Sequence, residues 1–439
     1  MFISLSIKNL FSFYEKQTFS MEATRIKEFQ EENCFKYKKK NFLKVASIHG
    51  LNGAGKSNLF LILFELKNLI LSSQISGTKF LKRFEMFKFF EDSIKEPTEI
   101  ELIFSINNID YCFSLQIFDE NIIYEKLTKK LTKEILIYER IGSEWDKINF
   151  SKKYLFENKI NIIPKEFKTG KILVLSLLLE MDLEKEEMFK EIYKFFDEKL
   201  IIINGMNERH GVQVTHDFLD KEPNNKDRLL KLMKKYCLGM SGFIYQSKEE
   251  EIPFEDLKNN KKIPSELLKR IEEELKNSSN TMKISKKDVK ISNVYDVYNK
   301  KFEKVDEKIL NFEKYTSEGT KALYNIIGAL YNTLDSGGVL MIDEALGLLH
   351  PIIIEDIIKL FNNSKTNPKN GQIIMTGQNP NIMDSADLRR DQIFILTKTF
   401  YGATTIERLV DHKQIKTSSS FSKNYLAILR KKIHEKEVK

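Results

Sequence analysis

Residues Gly50-Leu51-Asn52-Gly53-Ala54-Gly55-Lys56-Ser57 satisfy the full G-x-x-x-x-G-K-[ST] pattern, and this stretch constrains the fold more than any other in the chain. Glycines at 50, 53 and 55 let the backbone turn so that several N–H groups point inward at an anion. Lys56 then reaches the β- and γ-phosphates of a nucleotide, and the Ser57 hydroxyl takes a place on Mg²⁺. A helix opening near Lys56 adds the positive end of its dipole. The flanks agree with this reading: residues 42–48 form a short, mostly apolar strand pattern, and residues 58–70 are apolar enough for a buried helix. The nucleotide-contacting set is therefore Gly50, Asn52, Gly53, Ala54, Gly55, Lys56, Ser57 and the following Asn58, with ATP and Mg²⁺ as the expected occupants.

A phosphate loop of this kind belongs to α/β proteins, and the 439 residues are enough for two or three compact lobes. A composition of 41% hydrophobic and 31% charged residues is globular and excludes a disordered or fibrous chain. Cys34, Cys112 and Cys237 are too scattered for a disulfide framework or a zinc knuckle, which fits a reducing cytosol. The first eight residues alternate like a strand and carry no cleavage site, and no uninterrupted apolar run approaches about 18 residues. The expectation is a soluble, cytoplasmic protein with no membrane partner. A net charge of +8 beside 71 basic and 63 acidic side chains permits nucleic-acid contact without demanding it.

Along the chain, residues 3–7 and 11–19 read as short edge strands, followed by a basic patch of Lys36, Lys38, Lys39 and Lys40 interleaved with Phe35 and Tyr37. That patch reads first as solvated surface and second as a nucleic-acid contact. Residues 98–128 alternate apolar and polar as antiparallel strands do, with Asn107-Asn108 as a turn, and residues 135–150 continue the pattern. From 172 to 203 the period becomes helical, with Phe189, Ile192, Tyr193 and Phe196 spaced as one core-facing stripe. Residues 205–300 are rich in Lys and Glu and read as a mostly helical, partner-binding insertion without sustained heptads. The domain reading is thus 1–204 as a first lobe with the phosphate loop and antiparallel strands, 205–300 as the insertion, 301–400 as a second lobe, and 401–439 as a tail.

The downstream half supplies the chemistry. Thr316-Ser317-Glu318-Gly319-Thr320 precedes a strongly apolar helix pattern, so it reads as a capped helix start that exposes backbone N–H groups to an anion. Val339-Leu340-Met341-Ile342 reads as a buried parallel strand running into Asp343-Glu344, and ligands bind at the carboxyl ends of such strands. Asp343 would hold Mg²⁺ together with Ser57, and Glu344 would orient or deprotonate the attacking water.

The order of phosphate loop, S-x-G-T signature, apolar strand with Asp-Glu, and Leu349-His350-Pro351 resembles the ABC-type ATPase heads of the AAA-family ATP-binding proteins. These include heads of the structural-maintenance-of-chromosomes and overcoming-lysogenisation-defect kinds. The resemblance is nearer to the stand-alone ATPases of bacterial phage defence, such as RloA, the abortive-infection ATPases, and those of the Septu and PARIS systems. Ile7-Lys8-Asn9-Leu10-Phe11-Ser12-Phe13 and Leu388-Arg389-Arg390-Asp391-Gln392-Ile393 resemble further marks of that group.

The resemblance implies an ABC-ATPase head with a mixed N-terminal lobe and a parallel phosphate-loop sheet. It also implies a homodimer or higher homo-oligomer held by ATP, in which Ser317 and Gly319 contact the γ-phosphate bound by the other copy. The group's strand-ending histidine is replaced here by Gln378, which can hydrogen-bond a phosphate but carries no charge. Leu346 stands where the group has another acid. With Glu344, Lys56 and Gln378 as its catalytic set, the chain is expected to be a slow or partner-triggered ATPase controlling an effector, a toxic nuclease encoded nearby.

The alternatives are a non-hydrolysing ATP-dependent scaffold and a DNA-repair or chromosome-type ATPase, the latter disfavoured by the lack of heptad arms. A fused nuclease would need a carboxylate-rich domain, and only about forty residues follow Thr399, too few for an independent core.

Overall fold

The computed structural model describes residues 1–151, 168–181, 187–204, 208–237, 239–251 and 285–437. They divide into two compact units, Met1–Val212 with Ala329–Lys439, and Gln213–Gly328.

The first unit contains a six-stranded sheet whose order is Leu200–Ile203, Val339–Ile342, Gln372–Thr376, Val45–His49, Ile393–Lys398 and Thr404–Arg408. The first five strands run parallel, and the last pairs antiparallel as a hairpin. Every residue of the first four strands in that order is buried, as a parallel sheet covered on both faces requires. One sheet face, with Ala46, Ile48, Ile202, Met341, Ile374 and Leu396, belongs to a core shared with the helix Lys56–Leu81. That helix is long and apolar enough by composition to cross a membrane, yet it buries Leu59, Phe60, Ile62, Leu63, Leu66, Leu69 and Ile70 within the unit. Helix Pro351–Asn362 contacts the strand Val45–His49, and helix Phe421–Glu437 contacts Ile393–Lys398.

The same unit carries a seven-stranded antiparallel sheet running from Ile148–Phe150 through Glu134–Ile141, Asn121–Lys130, Ile109–Phe118, Thr98–Ile106 and Phe2–Lys8 to Gln17–Ser20. Strands Thr98–Ile106 and Ile109–Phe118 show the expected in–out alternation, and Asn107 and Asn108 turn between them with φ of 48° and 63°. The α/β class with a mixed N-terminal lobe and a parallel phosphate-loop sheet is the architecture observed.

Three local expectations differ from the structure. Residues 11–16 are a turn rather than strand, because Asn9 and Phe11 take left-handed φ of 51° and 49° and the Asn9 side chain binds the carbonyls of Ser93 and Glu96. Leu200–Ile203 is not helical but a strand paired with Val339–Ile342, since a short unbroken apolar run fits a buried strand as well as a helix. The insertion, read as mostly helical, has helices Glu208–Lys221 and Asn224–Tyr236 together with a three-stranded antiparallel sheet of Met240–Glu251, Ser285–Tyr298 and Lys304–Asn311. Nearly every residue of Lys304–Asn311 is exposed, so its Lys/Glu pattern carries no period-two apolar signal. The Leu267 to Leu275 stretch lies outside the described residues. Residues 317–320 lie in the second compact unit, Gln213–Gly328.

A buried ionic knot holds the antiparallel sheet to the helix Val174–Met181. Glu125 accepts hydrogen bonds from the Val174 and Leu175 backbone N–H groups at 2.8 and 2.9 Å and from the Tyr138 hydroxyl at 2.6 Å. The fully buried Arg140 lies 3.9 Å from Glu125 and donates to the carbonyls of Ile172 and Ile122. Burial pushes the Glu125 carboxyl up, against the pull of Arg140, Tyr138 and the two amides. Breaking one partner of such a pair leaves the other buried and uncompensated. Arg140→Leu is expected to lower the unfolding free energy by about 3–5 kcal/mol, read as an earlier urea midpoint at unchanged slope.

Candidate functional site

The carboxyl ends of three neighbouring parallel strands converge. Thr376 pairs with Ile48, and Met375 pairs with Ile342, so the chain leaves these strands at His49-Gly50, Gly377-Gln378 and Asp343-Glu344 side by side. That is where an open α/β sheet binds its ligands.

The loop from Gly50 to Gly55 feeds the helix Lys56–Leu81, and Gly55 stands at its N-cap with φ of 101°. A side chain at Gly55 would place Cβ 2.3 Å from the Thr404 Oγ1 and 2.8 Å from the Ser12 Oγ. Those two hydroxyls are the loop's anchor. Thr404 Oγ1 lies 2.9 Å from the Ala54 carbonyl oxygen and 2.8 Å from the Ser12 hydroxyl, and Asn58 donates to that same hydroxyl at 2.8 Å. The Lys56 ammonium donates to the carbonyls of Gly50 and Leu51 at 2.8 and 3.1 Å. Burial lowers its pKa from the ordinary lysine value, against the pull of Asp343 and Glu344.

Asp343 is 3% exposed, and its Oδ1 is buried with no hydrogen-bond partner among the described residues. Burial raises its pKa, while the nearby Ser57 and Thr376 hydroxyls pull the other way. A lone buried carboxylate oxygen beside the Ser57 hydroxyl suits a hard divalent cation. Among the described residues no three His, Cys, Asp or Glu side chains cluster as a metal cage. This donor set matches Mg²⁺, which binds through one or two protein oxygens with nucleotide phosphates completing the shell. Glu344 follows with φ of 61° and ψ of −30°, an uncommon conformation for a residue with a side chain, and is exposed toward solvent.

Gln378 packs against the turn that follows Glu344: a Cβ on Gly347 would lie 3.3 Å from its Oε1. Gln378, Gly347, Thr376 and the buried Leu346 help line a cavity of about 310 Å³. His49 lies beneath this loop. A Cβ on Gly377 would sit 2.3 Å from the His49 Cε1, so only glycine fits there. The ring's Nε2 is 2.8 Å from the Ser47 hydroxyl, and Tyr425 meets it edge-on with centroids 5.8 Å apart. Burial raises the Tyr425 pKa, and the Gly50 backbone pulls the other way. Burial, then the Lys56 charge, lowers the His49 pKa to about 3.

Ser317 and Gly319 lie in the other unit, at the start of the helix Glu318–Ser336. The Ser317 hydroxyl accepts from the Thr320 N–H at 3.4 Å, the contact of a weak N-cap, and Ser317 is exposed. Asn293 donates to the Thr316 hydroxyl at 3.0 Å, tying this turn to the three-stranded sheet.

The structure gives other singled-out residues structural roles. The His350 Nδ1 accepts from the Ile352 N–H and caps the helix Pro351–Asn362. Arg389 is fully buried, paired with Asp391 and bonded to the carbonyls of Ile26 and Glu28, and Arg390 pairs with Glu28. In the basic patch, Lys38 pairs with Asp110 and Lys40 with Glu22, as solvated surface charges do. Ser12 falls in the Ile7–Phe13 stretch and Thr376 in the strand that leads to Gln378, whereas Thr404 and Tyr425 carry no motif of their own.

A family profile described as "AAA domain, putative AbiEii toxin, Type IV TA system" matches residues 45–159 and 246–384, more than half of the chain. No curated protein matches the sequence. Among solved structures, the chain is similar to the SMC head domain from Thermotoga maritima, at 14% identity over 93% of this chain and 98% of that one, with a TM-score of 0.38. It is also similar to the Smc head domain with an extended coiled coil bound to the C-terminal domain of ScpA from Pyrococcus furiosus. That match is at 12% identity over 94% of this chain and 97% of that one, again with a TM-score of 0.38.

His49 gives the site a measurable acid dependence. Between its folded pKa of about 3 and the unfolded value of about 6.5, the unfolded chain binds a proton that the native state does not. Stability therefore falls as pH drops below about 6.5, by up to about 1.4 kcal/mol per pH unit. His49→Gln is expected to show a smaller loss of melting temperature between pH 7.5 and pH 5 than the wild type in thermal unfolding.

Proposed function

The chain belongs to the AAA-domain family whose description names putative AbiEii toxins of type IV toxin–antitoxin systems, and on that premise we propose that it is a slow, Mg²⁺-dependent ATPase that assembles on ATP and controls a partner protein. The observation that carries this reading is the convergence of Lys56, Ser57, Asp343 and Glu344 at adjacent strand ends, with one buried Asp343 oxygen left unpartnered among the described residues.

The loop amides and Lys56 bind the β- and γ-phosphates, Lys56 exchanging its two carbonyl partners for phosphate oxygens. Ser57 and Asp343 would hold Mg²⁺, which when bound would supply positive charge beside the phosphates. Glu344, exposed at the mouth of the crevice, orients the attacking water and takes its proton. Gln378 hydrogen-bonds the γ-phosphate without adding charge, which supports slow turnover. Ser317 and Gly319 of a second copy close over the γ-phosphate, so ATP binds two chains in one state and one chain in the other. That difference in affinity is what a switch requires. The partner is an effector, a toxic nuclease in a phage-defence setting in the cytoplasm. The toxin–antitoxin wording of the family description supports a two-component arrangement of this kind.

A non-hydrolysing scaffold is the second reading. It is favoured by the neutral Gln378 and by Leu346, which is buried and supplies no acid beside Glu344.

Phosphate release by purified protein separates the two readings. Lys56→Ala is expected to abolish nucleotide binding, and Glu344→Gln to keep binding while lowering kcat by about 100-fold or more. Turnover indifferent to both substitutions would sink the site. Light scattering with a non-hydrolysable ATP analogue is expected to show a doubled mass that Ser317→Arg prevents, and a mass unchanged by the analogue would sink the switch.

A further inference from the structure

We propose that Thr376 is the positioning residue for Glu344, setting the general base from the strand next door; the inference rests on the hydrolytic reading of this site. The register places Thr376 one step beyond the Met375–Ile342 pair, level with the start of the Asp343-Glu344 exit. Its side-chain oxygen accepts the Glu344 backbone N–H at 3.0 Å. Thr376 is 5% exposed, so this contact is shielded from solvent.

The backbone on either side is fixed as well. The Asp343 N–H donates to the Ile203 carbonyl at 2.9 Å, so the chain is held by the outer strand at Asp343 and by Thr376 at Glu344. The Gly347 N–H then donates to the Glu344 carbonyl at 2.8 Å and closes the turn. Between these anchors Glu344 keeps φ at 61°. A residue with a side chain stays in that region only where its surroundings over-determine it. Of the three hydrogen bonds, the one at the Glu344 N–H alone depends on a side chain. Without it the residue can relax toward negative φ, swinging its carboxylate away from the phosphate loop. Thr376 touches neither nucleotide nor water in this account, so its effect belongs to kcat rather than to binding.

Thr376→Val keeps the shape and strand preference of the side chain and removes only the oxygen. The expected result is a 10- to 100-fold lower kcat, with affinity for a non-hydrolysable ATP analogue within about twofold of the wild type and with most of the rate restored in Thr376→Ser. A second readout needs no turnover: hydrogen exchange in the peptide carrying Glu344 is expected to quicken in the valine variant and return to the wild-type rate in the serine variant. Valine behaving as wild type in both rate and exchange would overturn the proposal, as would a serine variant no better than valine. A wild type that hydrolyses nothing while its Glu344 exchange still depends on the Thr376 hydroxyl would sink the hydrolytic reading and leave the positioning intact.

Discussion

A loop that aims its backbone donors at a phosphate has few contacts of its own, so something outside it must hold it open. In this protein that task falls to two hydroxyls from opposite ends of the sequence. Thr404 touches the Ala54 carbonyl and Ser12, and Ser12 also receives Asn58 from the first turn of the following helix. The space they fill is the space a side chain at Gly55 would need. The glycine and its two anchors are therefore one device: the missing side chain lets the hydroxyls approach, and the hydroxyls hold the left-handed turn that glycine permits.

The remainder of the site is built on the same plan, with irregular backbone at strand ends clamped by neighbours. Asn9, fully buried, accepts from Phe87 and donates to Ser93 and Glu96, so the N-terminal turn holds the segment that leads into the antiparallel sheet. Asp384 accepts from the Phe421 N–H at the start of the C-terminal helix, and Tyr425 on that helix reaches back to His49 and Gly50. The Gln378 loop and the phosphate loop are thereby joined through a helix that follows both in sequence. Polar atoms left unpaired in a core cost stability. Among the described residues Asp343 keeps one such oxygen, at the carboxyl end of its strand.

The helix Lys56–Leu81, the buried strand Val339–Ile342 and the helix start after Ser317 follow from local pattern, because each element's signal lies in neighbours within about five positions. Local pattern is weaker where a segment's identity depends on distant pairing. Leu200–Ile203 is a strand only because Val339–Ile342 lies beside it, and residues 11–16 turn because Asn9 is claimed by carbonyls more than eighty residues away. Arg389 and Arg390 stand within the stretch Leu388–Ile393 that resembles a mark of the family. Their targets are Asp391, Glu28 and backbone carbonyls near residue 26, which no spacing rule reveals.

The sequence alone determined that this chain carries a phosphate loop on an α/β sheet, with two acids at the end of a buried strand, because glycine, lysine and carboxylate chemistry admits few alternatives at those spacings. Only the tertiary structure decided which hydroxyls hold that loop, that the Thr376 hydroxyl takes the Glu344 N–H, and that the described part of the insertion is half sheet. These are outcomes of strand order and register, and register is set by which side chains find cover across the whole unit.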